Sequence, residues 1–168
     1  MDETAAERAE LQRLLDRSMA AAGPHLRDII TDERRLTADE VCERLQGMVL
    51  LTMATVTSDG RPIGAPIDGY FLHGRFHVST GPDSVRLRHL QSRPAVTATH
   101  LPGEQLAVTV HGRAELYDGT DPAWVRLRQA MLDHYVPTQG PQFAEWLDSI
   151  APVAAVIVPD KMFTFAMD

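Results

Sequence analysis

Residues 48–62, MVLLTMATVTSDGRP, decide the fold of this chain. An apolar run rich in β-branched residues, Val49–Thr57, is followed by a Ser-Asp-Gly turn and a second run, Arg61–Leu72. Two such runs around an Asp-Gly turn are typical of a β-hairpin. Pro62 and Pro66 lie inside the second run, and proline in a strand indicates a sheet edge or a β-bulge. The sequence therefore predicts a hairpin whose second strand is irregular or lies at an edge.

The rest of the chain predicts further strands joined by turns and short helices. They are expected at Arg75–Ser79, Ala95–His100, Gln105–Tyr117, Val153–Val158 and Met162–Phe165. Gly112 is expected to break the longest of these strands, and Pro159 to separate the last two. Six to seven mostly antiparallel strands without regular βαβ alternation favour an α+β barrel over a doubly wound sheet.

The segment before residue 37 predicts helices instead of strands. One apolar stripe at the spacing of a helix is formed by Leu11, Leu14, Leu15 and Met19. Thr37 opens a capping-box pattern, Thr-Ala-Asp-Glu, which indicates that another helix begins there. The chain is therefore expected to consist of an N-terminal helical extension, 1–36, and a barrel domain, 37–168.

Composition excludes several classes of function. The 168 residues suit one domain, and the net charge of −7 argues against nucleic acid as a partner, because that binding requires neutralised phosphates. The apolar runs are shorter than the ~20 residues of a membrane span, and the acidic N-terminus lacks a signal-peptide pattern. The expected location is the cytoplasm.

No metal site is predicted. Cys42 is the only cysteine, and the histidines show no metal-ligand spacing.

Residues 76–88, FHVSTGPDSVRLR, carry the most chemical information. They predict a strand, a loop of small residues and the start of a helix that contains arginines. The N–H groups at a helix N-terminus favour phosphate, and hydroxyls and a guanidinium strengthen such a site. The candidate ligands are Ser79, Thr80, Ser84 and Arg86. In the alternative interpretation, Ser84 only caps the helix and the arginines lie in solvent.

Two motifs in this order resemble the pyridoxamine 5'-phosphate oxidase-like superfamily of split-barrel flavoproteins. Residues 51–62, LTMATVTSDGRP, are similar to the opening hairpin of that superfamily. Its phosphate clamp is Ser-x-Lys/Arg, then Asn/Gln-Leu and a proline; the counterparts here are Ser84-Val85-Arg86, His89-Leu90 and Arg93-Pro94. The resemblance covers about Thr37 to Phe165 and implies a six-stranded antiparallel split β-barrel with flanking helices.

The resemblance also implies a cofactor and a partner. Superfamily members are homodimers that bind FMN, or the deazaflavin F420, in clefts between the subunits. By position, the phosphate would be bound by Ser79, Thr80, Ser84 and Arg86, and the backbone of Ala65, Pro66 and Ile67 would lie along the isoalloxazine ring. Arg88 would add charge to the clamp, although it lies about 200° around the helix from Arg86. The strand over 105–111 of the second subunit would complete the pocket.

The implied function is a flavin- or F420-dependent oxidoreductase that transfers hydride to or from a small molecule. FMN is the favoured cofactor. F420 is the alternative, and candidates for its oligoglutamate tail are Arg88, Arg93, Arg126 and Arg128. A non-catalytic protein that sequesters flavin, F420 or heme is the competing interpretation. No catalytic residue is assigned, and the vitamin B6 reaction is not expected, because the substrate-holding Arg and His residues of the true oxidases have no counterpart after Phe165.

Several other side chains have both a structural and a functional interpretation. Asp68 is either an exposed edge residue or a carboxylate of raised pKa beside the ring, and the exposed position is favoured. His77 is expected at the solvent or at the dimer seam. His100 and His111 could approach the cofactor, but hydrogen-bonded structural roles are favoured. Trp124 and Trp146 are interpreted as core or interface anchors, with a substrate opening as the alternative.

Overall fold

A computed structural model of the protein describes residues 3–167. Its helices are α1 (Ala5–Ala20), α2 (Pro24–Ile29), α3 (Ala38–Arg44), α4 (Val85–Ser92), α5 (Pro122–Gln139) and α6 (Gln142–Ile150), with a 3₁₀ turn at Asp32–Arg34. Its strands are β1 (Met48–Val56), β2 (Pro62–Leu72), β3 (Arg75–Thr80), β4 (Ala95–Gly103), β5 (Leu106–Tyr117) and β6 (Val153–Ala166). Over this range, every helix is either too short or too polar to pass through a lipid bilayer.

The six strands form a closed antiparallel barrel in the order β1-β2-β3-β6-β5-β4. The hairpin predicted from residues 48–62 is present, with Met48 opposite Tyr70 and Val56 opposite Pro62. The barrel closes where β1 meets β4, with Thr52 opposite Thr99. Together with the flanking helices, this topology confirms the predicted α+β fold with a six-stranded barrel.

The barrel is open along part of the seam between β2 and β3. The two strands pair only from Gly69 to Leu72 on β2; the last residues of β3, Ser79 and Thr80, pair with β6 alone, and the chain then continues to α4. The earlier part of β2, which contains Pro66, pairs with β1 on one side and has no β3 partner on the other. The prediction that prolines in this strand mark an edge is confirmed for Pro66.

Two hydrophobic clusters cover the two faces of the barrel wall. The interior cluster joins strand residues such as Phe76 and Val78 to Leu11 and Leu14 of α1, so the N-terminal helix packs into the same core as the barrel. The outer cluster packs α5 and α6 against β2 and β6; it contains Tyr70, Trp124, Leu127, Met131, Phe143, Leu147 and Ala154. The predicted stripe on α1 is confirmed, and Thr37 caps α3 through the expected capping box with Glu40.

The prediction of two separate C-terminal strands is wrong. Residues 153–166 form the single strand β6, and β5 likewise continues through Gly112. The register between the two strands shifts after His111, so that Gly112 faces Pro159. This bulge accommodates the proline without ending the strand, because the missing side chain of Gly112 leaves room for the displaced backbone at Val158. A Cβ on Gly112 would lie 2.1 Å from the Val158 carbonyl oxygen.

Replacing Gly112 with alanine is predicted to destabilise the barrel by about 1–3 kcal/mol, because backbone at the bulge would have to move. Urea denaturation of the wild type and the variant measures the change in the free energy of unfolding. Gly64→Ala is the matched control in a strand, since the nearest atom to its added Cβ would be 3.9 Å away. Equal losses in the two variants would contradict the explanation given for the bulge.

Candidate cofactor-binding site

The start of α4 brings two of the predicted phosphate ligands together. Ser84 is the N-cap, and its Oγ accepts a hydrogen bond of 3.0 Å from the Leu87 amide. The same Oγ lies 2.8 Å from Oγ1 of the buried Thr80. The capping interpretation of Ser84 is thus confirmed, and it is compatible with anion binding. The first amides of a helix have no intrahelical acceptor, and one hydroxyl proton of this pair is not used between them.

Arg86 lies beside this helix start without an acidic partner among the residues that the structure describes. Its side chain is half-buried, and this burial lowers its pKa from the ordinary value, although a guanidinium stays charged in proteins. Within the described residues its side chain makes one hydrogen bond, a long one, with Nη2 3.5 Å from the Pro66 carbonyl oxygen. A half-buried cation with so little compensation favours an anion at the same place.

Ser79 and Arg88 lie apart from this pair. Ser79 and Thr80 are consecutive in β3, so their side chains point to opposite faces of the sheet. Arg88 is exposed and donates from Nη1 to the Asp83 carbonyl oxygen at 3.0 Å, a contact that holds the loop before α4. Roles for Ser79 and Arg88 in binding a cofactor therefore stay predictions.

The predicted ring-binding residues lie on the open edge of β2. Ile67 packs against the interior cluster, and Ala65 lies on the same face of the strand, whereas Pro66 is exposed on the other face. Because β3 does not pair with this stretch, the backbone of residues 65–67 has one edge available to a planar ligand. The contact between Arg86 and Pro66 joins this edge to the start of α4.

Two side chains attach α4 to the barrel. One is His89, which departs from the expected clamp pattern, and the other is Arg93, which follows the helix. His89 replaces the usual Asn or Gln, and its Nδ1 lies 2.9 Å from Oγ1 of the buried Thr55 on β1. Arg93 donates from Nε to the Val56 carbonyl oxygen at 3.0 Å. Both therefore position the helix whose first turn carries Arg86.

Sequence comparison then decides the family. The family model described as pyridoxamine 5'-phosphate oxidase matches residues 37–155, which is more than half of the chain. The chain belongs to this family. No curated protein is significantly similar to it in sequence.

Solved structures of similar shape agree with the family's barrel. The conserved hypothetical protein Rv2991 from Mycobacterium tuberculosis has a TM-score of 0.67 and 18% identity, with 81% of this chain and 88% of that chain covered. HutZ, the heme storage protein from Vibrio cholerae, has a TM-score of 0.60 and 18% identity, over 76% and 93% of the two chains. A structure named F420 Reductase has a TM-score of 0.53 and 20% identity, over 70% and 91%. At these identities the likeness shows the fold alone.

In this member of the pyridoxamine 5'-phosphate oxidase family, a cavity of about 530 Å³ opens beside β2. Asp68 lies two residues from Pro66 on the same strand face and accepts a hydrogen bond from the Tyr135 hydroxyl. Burial, followed by this hydrogen bond, raises the pKa of Tyr135 to about 12. Phe143 and Trp146 supply aromatic walls, and Trp146 is 52% exposed. The sequence indicated Asp68 as a candidate but favoured an exposed position, and it gave no sign of Tyr135.

The histidines of this family member are held mainly by structural contacts. His100 is buried and donates from Nδ1 to the Leu50 carbonyl oxygen at 2.9 Å, which confirms its structural interpretation. The expectation that His77 lies at the solvent is wrong: it is 2% exposed, because α1 and α5 cover the outer face of β3. Within residues 3–167, no group of three or more His, Cys, Asp and Glu side chains is arranged to hold a metal ion.

Acid is predicted to destabilise the protein through His77. Burial lowers the pKa of His77 from 6.5 to about 4 in the folded protein. Between these two pH values the unfolded chain binds a proton that the folded chain excludes, so the free energy of unfolding falls as the pH falls. The loss should reach about 3 kcal/mol between neutral pH and pH 4.

The measurement is urea denaturation from pH 7 to pH 4 for the wild type and for His77→Gln, which cannot take up that proton. The pH dependence that other groups contribute is common to both proteins, so the difference between the two curves isolates His77. If both proteins lose stability in parallel over this range, the assigned cause is wrong.

Proposed function

We propose that the chain is an oxidoreductase that binds FMN, with F420 as the alternative, through the phosphate of the cofactor at the start of α4. The observation that carries the proposal is Arg86, a half-buried guanidinium without an acidic partner in the described chain, next to a helix N-terminus and to the open edge of β2. When bound, either cofactor supplies a ring that accepts or donates hydride.

The groups present at this place fit such a cofactor. A phosphate needs fixed donors and positive charge, which the first amides of α4, the pair Thr80 and Ser84, and Arg86 can provide. A planar heterocycle needs hydrogen-bonding partners in its own plane, which the free backbone edge of residues 65–67 can provide. The phosphate-binding groups and the free edge of β2 are adjacent, since Arg86 contacts the Pro66 carbonyl oxygen.

In this proposal the substrate binds in the cavity next to Asp68. The aromatic side chains Phe143 and Trp146 would exclude water from one face of a small organic substrate. At neutral pH the Tyr135 hydroxyl is protonated, as for any tyrosine, and its raised pKa keeps it a hydrogen-bond donor to Asp68. This pair could hold a proton at the edge of the cavity.

A homodimer is part of the proposal. The outer face of the barrel at β1 and β4 carries large exposed apolar side chains, with Leu50 61% exposed and Leu101 64% exposed. An exposed apolar face of this kind favours a protein interface. A second copy placed there would bring its strand β5 towards the cofactor, in keeping with the arrangement expected from the family.

The second candidate function is a carrier that stores flavin, F420 or heme without turnover. The observation that favours heme is His111, which is exposed on β5. Its Nδ1 lies 2.9 Å from Thr97 Oγ1, so its Nε2 would be free to bind the iron of a heme.

Absorption spectroscopy of the purified protein, with mass spectrometry of the small molecule released on denaturation, separates these functions. Bound FMN with the spectrum of an oxidised flavin, or stoichiometric binding of added F420, is expected. Reduction and reoxidation of that cofactor with a small-molecule substrate would support the oxidoreductase. A heme spectrum, or a cofactor that never turns over, would favour the carrier.

Arg86→Glu is predicted to weaken cofactor binding by about a hundredfold or more without unfolding the barrel, because it replaces the clamp's cation with an anion. Fluorescence titration with FMN and with F420 measures the affinity, and circular dichroism checks the fold. The charge-matched control is Arg27→Glu in α2, an exposed position away from the clamp. Unchanged affinity in Arg86→Glu would refute the assigned site.

A further inference from the structure

A second cavity of about 490 Å³ lies on the outer side of β3, between α1, α5 and strands β5 and β6. Its position separates it from the cofactor clamp. Thr80, which belongs to the clamp, lies on the opposite face of β3 from Arg75 and His77, which line this cavity. A cavity of this size is within the range of small-molecule sites.

Three arginines from three different elements line this cavity. Arg17 comes from α1, Arg75 from β3 and Arg126 from α5. In the described part of the chain, none of the three guanidinium groups forms an ion pair. The protein as a whole has a net charge of −7, so this group of cations differs in sign from the overall charge. The cavity therefore concentrates positive charge that the protein itself does not neutralise.

Two glutamates also line the cavity, and they reduce but do not cancel this charge. Glu7 lies 2.8 Å from Nδ1 of His73, and its carboxylate also accepts from the Thr4 amide at 2.7 Å. The Thr4 amide is the main reason why the pKa of Glu7 is lowered. Glu10 is the other carboxylate of the lining. Against three guanidinium groups, two carboxylates leave an excess of positive charge, so the cavity is suited to an anion.

His77 presents an unused acceptor to the same cavity. Its Nδ1 lies 3.1 Å from the Arg75 carbonyl oxygen. A carbonyl can only accept, so the Nδ1 carries the proton and Nε2 carries the lone pair. Within residues 3–167, no protein group donates to this Nε2, although His77 is 2% exposed. A lone pair that faces a cavity without a protein donor is available to a ligand that donates a hydrogen bond.

Apolar side chains form the remaining walls. Leu11 and Leu14 of α1, Val156 and Val158 of β6, and Ala123 of α5 all line the cavity. These residues suit a compact carbon skeleton between the charged group and the hydroxyl. A bare inorganic ion would leave both the apolar walls and His77 without a partner.

We propose that this cavity binds a small organic anion that carries a hydroxyl group. The carboxylate or phosphate is bound by Arg75 and Arg126, with Arg17 at the entrance, and the hydroxyl donates to Nε2 of His77. The inference assigns a role to the N-terminal helix α1, which forms one wall of the site. It is independent of the proposed cofactor, since no residue of the clamp at Ser84 and Arg86 takes part.

Isothermal titration calorimetry on the full chain tests the charge requirement. Citrate represents the hydroxylated carboxylates and ribose 5-phosphate represents the sugar phosphates, with uncharged ribose as the blank. Saturable binding of either anion is expected. Arg75→Gln and Arg126→Gln should each weaken it by about tenfold or more, because each removes a charge-assisted contact. Arg13→Gln, an exposed arginine on α1 that does not line the cavity, should leave the affinity unchanged.

The hydroxyl requirement is tested with tricarballylate, which is citrate without its hydroxyl. If citrate is the better anion, the wild type should prefer it to tricarballylate by about tenfold, and His77→Leu should lose that preference. If ribose 5-phosphate binds more tightly, the same comparison uses n-pentyl phosphate, a phosphate monoester with a five-carbon chain and no hydroxyl on carbon. The two arginine variants keep the test decisive if His77→Leu does not fold.

Two results would overturn the proposal: no saturable binding of citrate or ribose 5-phosphate, or binding that Arg75→Gln and Arg126→Gln both leave unchanged. Neither result bears on the cofactor clamp. Conversely, loss of FMN and F420 binding in Arg86→Glu should leave citrate binding intact, so the two proposals fail or succeed separately.

Discussion

The early separation of β3 from β2 is the constraint on which the candidate site depends. Before Gly69, β2 has a backbone edge without a β3 partner, and the chain that leaves β3 at Thr80 begins α4 after a short loop. One topological event therefore places free backbone groups beside a helix N-terminus. The half-buried Arg86 lies between them, in contact with the Pro66 carbonyl oxygen.

The position of α4 is in turn fixed by contacts with β1. His89, in the middle of α4, contacts the Thr55 hydroxyl. Arg93, the residue that caps the C-terminus of α4, donates to the Val56 carbonyl oxygen. Leu87 and Leu90 bury the inner side of the helix against the barrel. Arg86 therefore acts from a rigid support, and little conformational entropy would be lost there on binding a ligand.

The two faces of β3 have different chemistry because neighbouring residues of a strand point in opposite directions. Phe76 and Val78 fill the barrel core, whereas Arg75 and His77 point to the cavity under α1 and α5. Burial under the helices explains why His77 is neutral at physiological pH.

Much of the fold could be predicted from the sequence, because it rests on local patterns. The hairpin at residues 48–62, the stripe on α1 and the capping box at Thr37 each depend on residues a few positions apart, as does the Ser84 cap. The hairpin and the motif around Ser84 also sufficed to show the resemblance to the family. The single strand β6 was missed because Pro159 is accommodated by a glycine 47 positions earlier in the chain, Gly112, and no local rule connects the two.

Only the tertiary structure decided which charged and polar groups meet. Arg17, Arg75 and Arg126 converge from an N-terminal helix, a strand and a later helix, and the hydrogen bond from Tyr135 to Asp68 joins α5 to β2. The distances between these residues could not be predicted from the sequence, because each pairing depends on how the helices pack on the barrel. Secondary structure follows from neighbours along the chain, whereas the electrostatics of a site follows from neighbours in space.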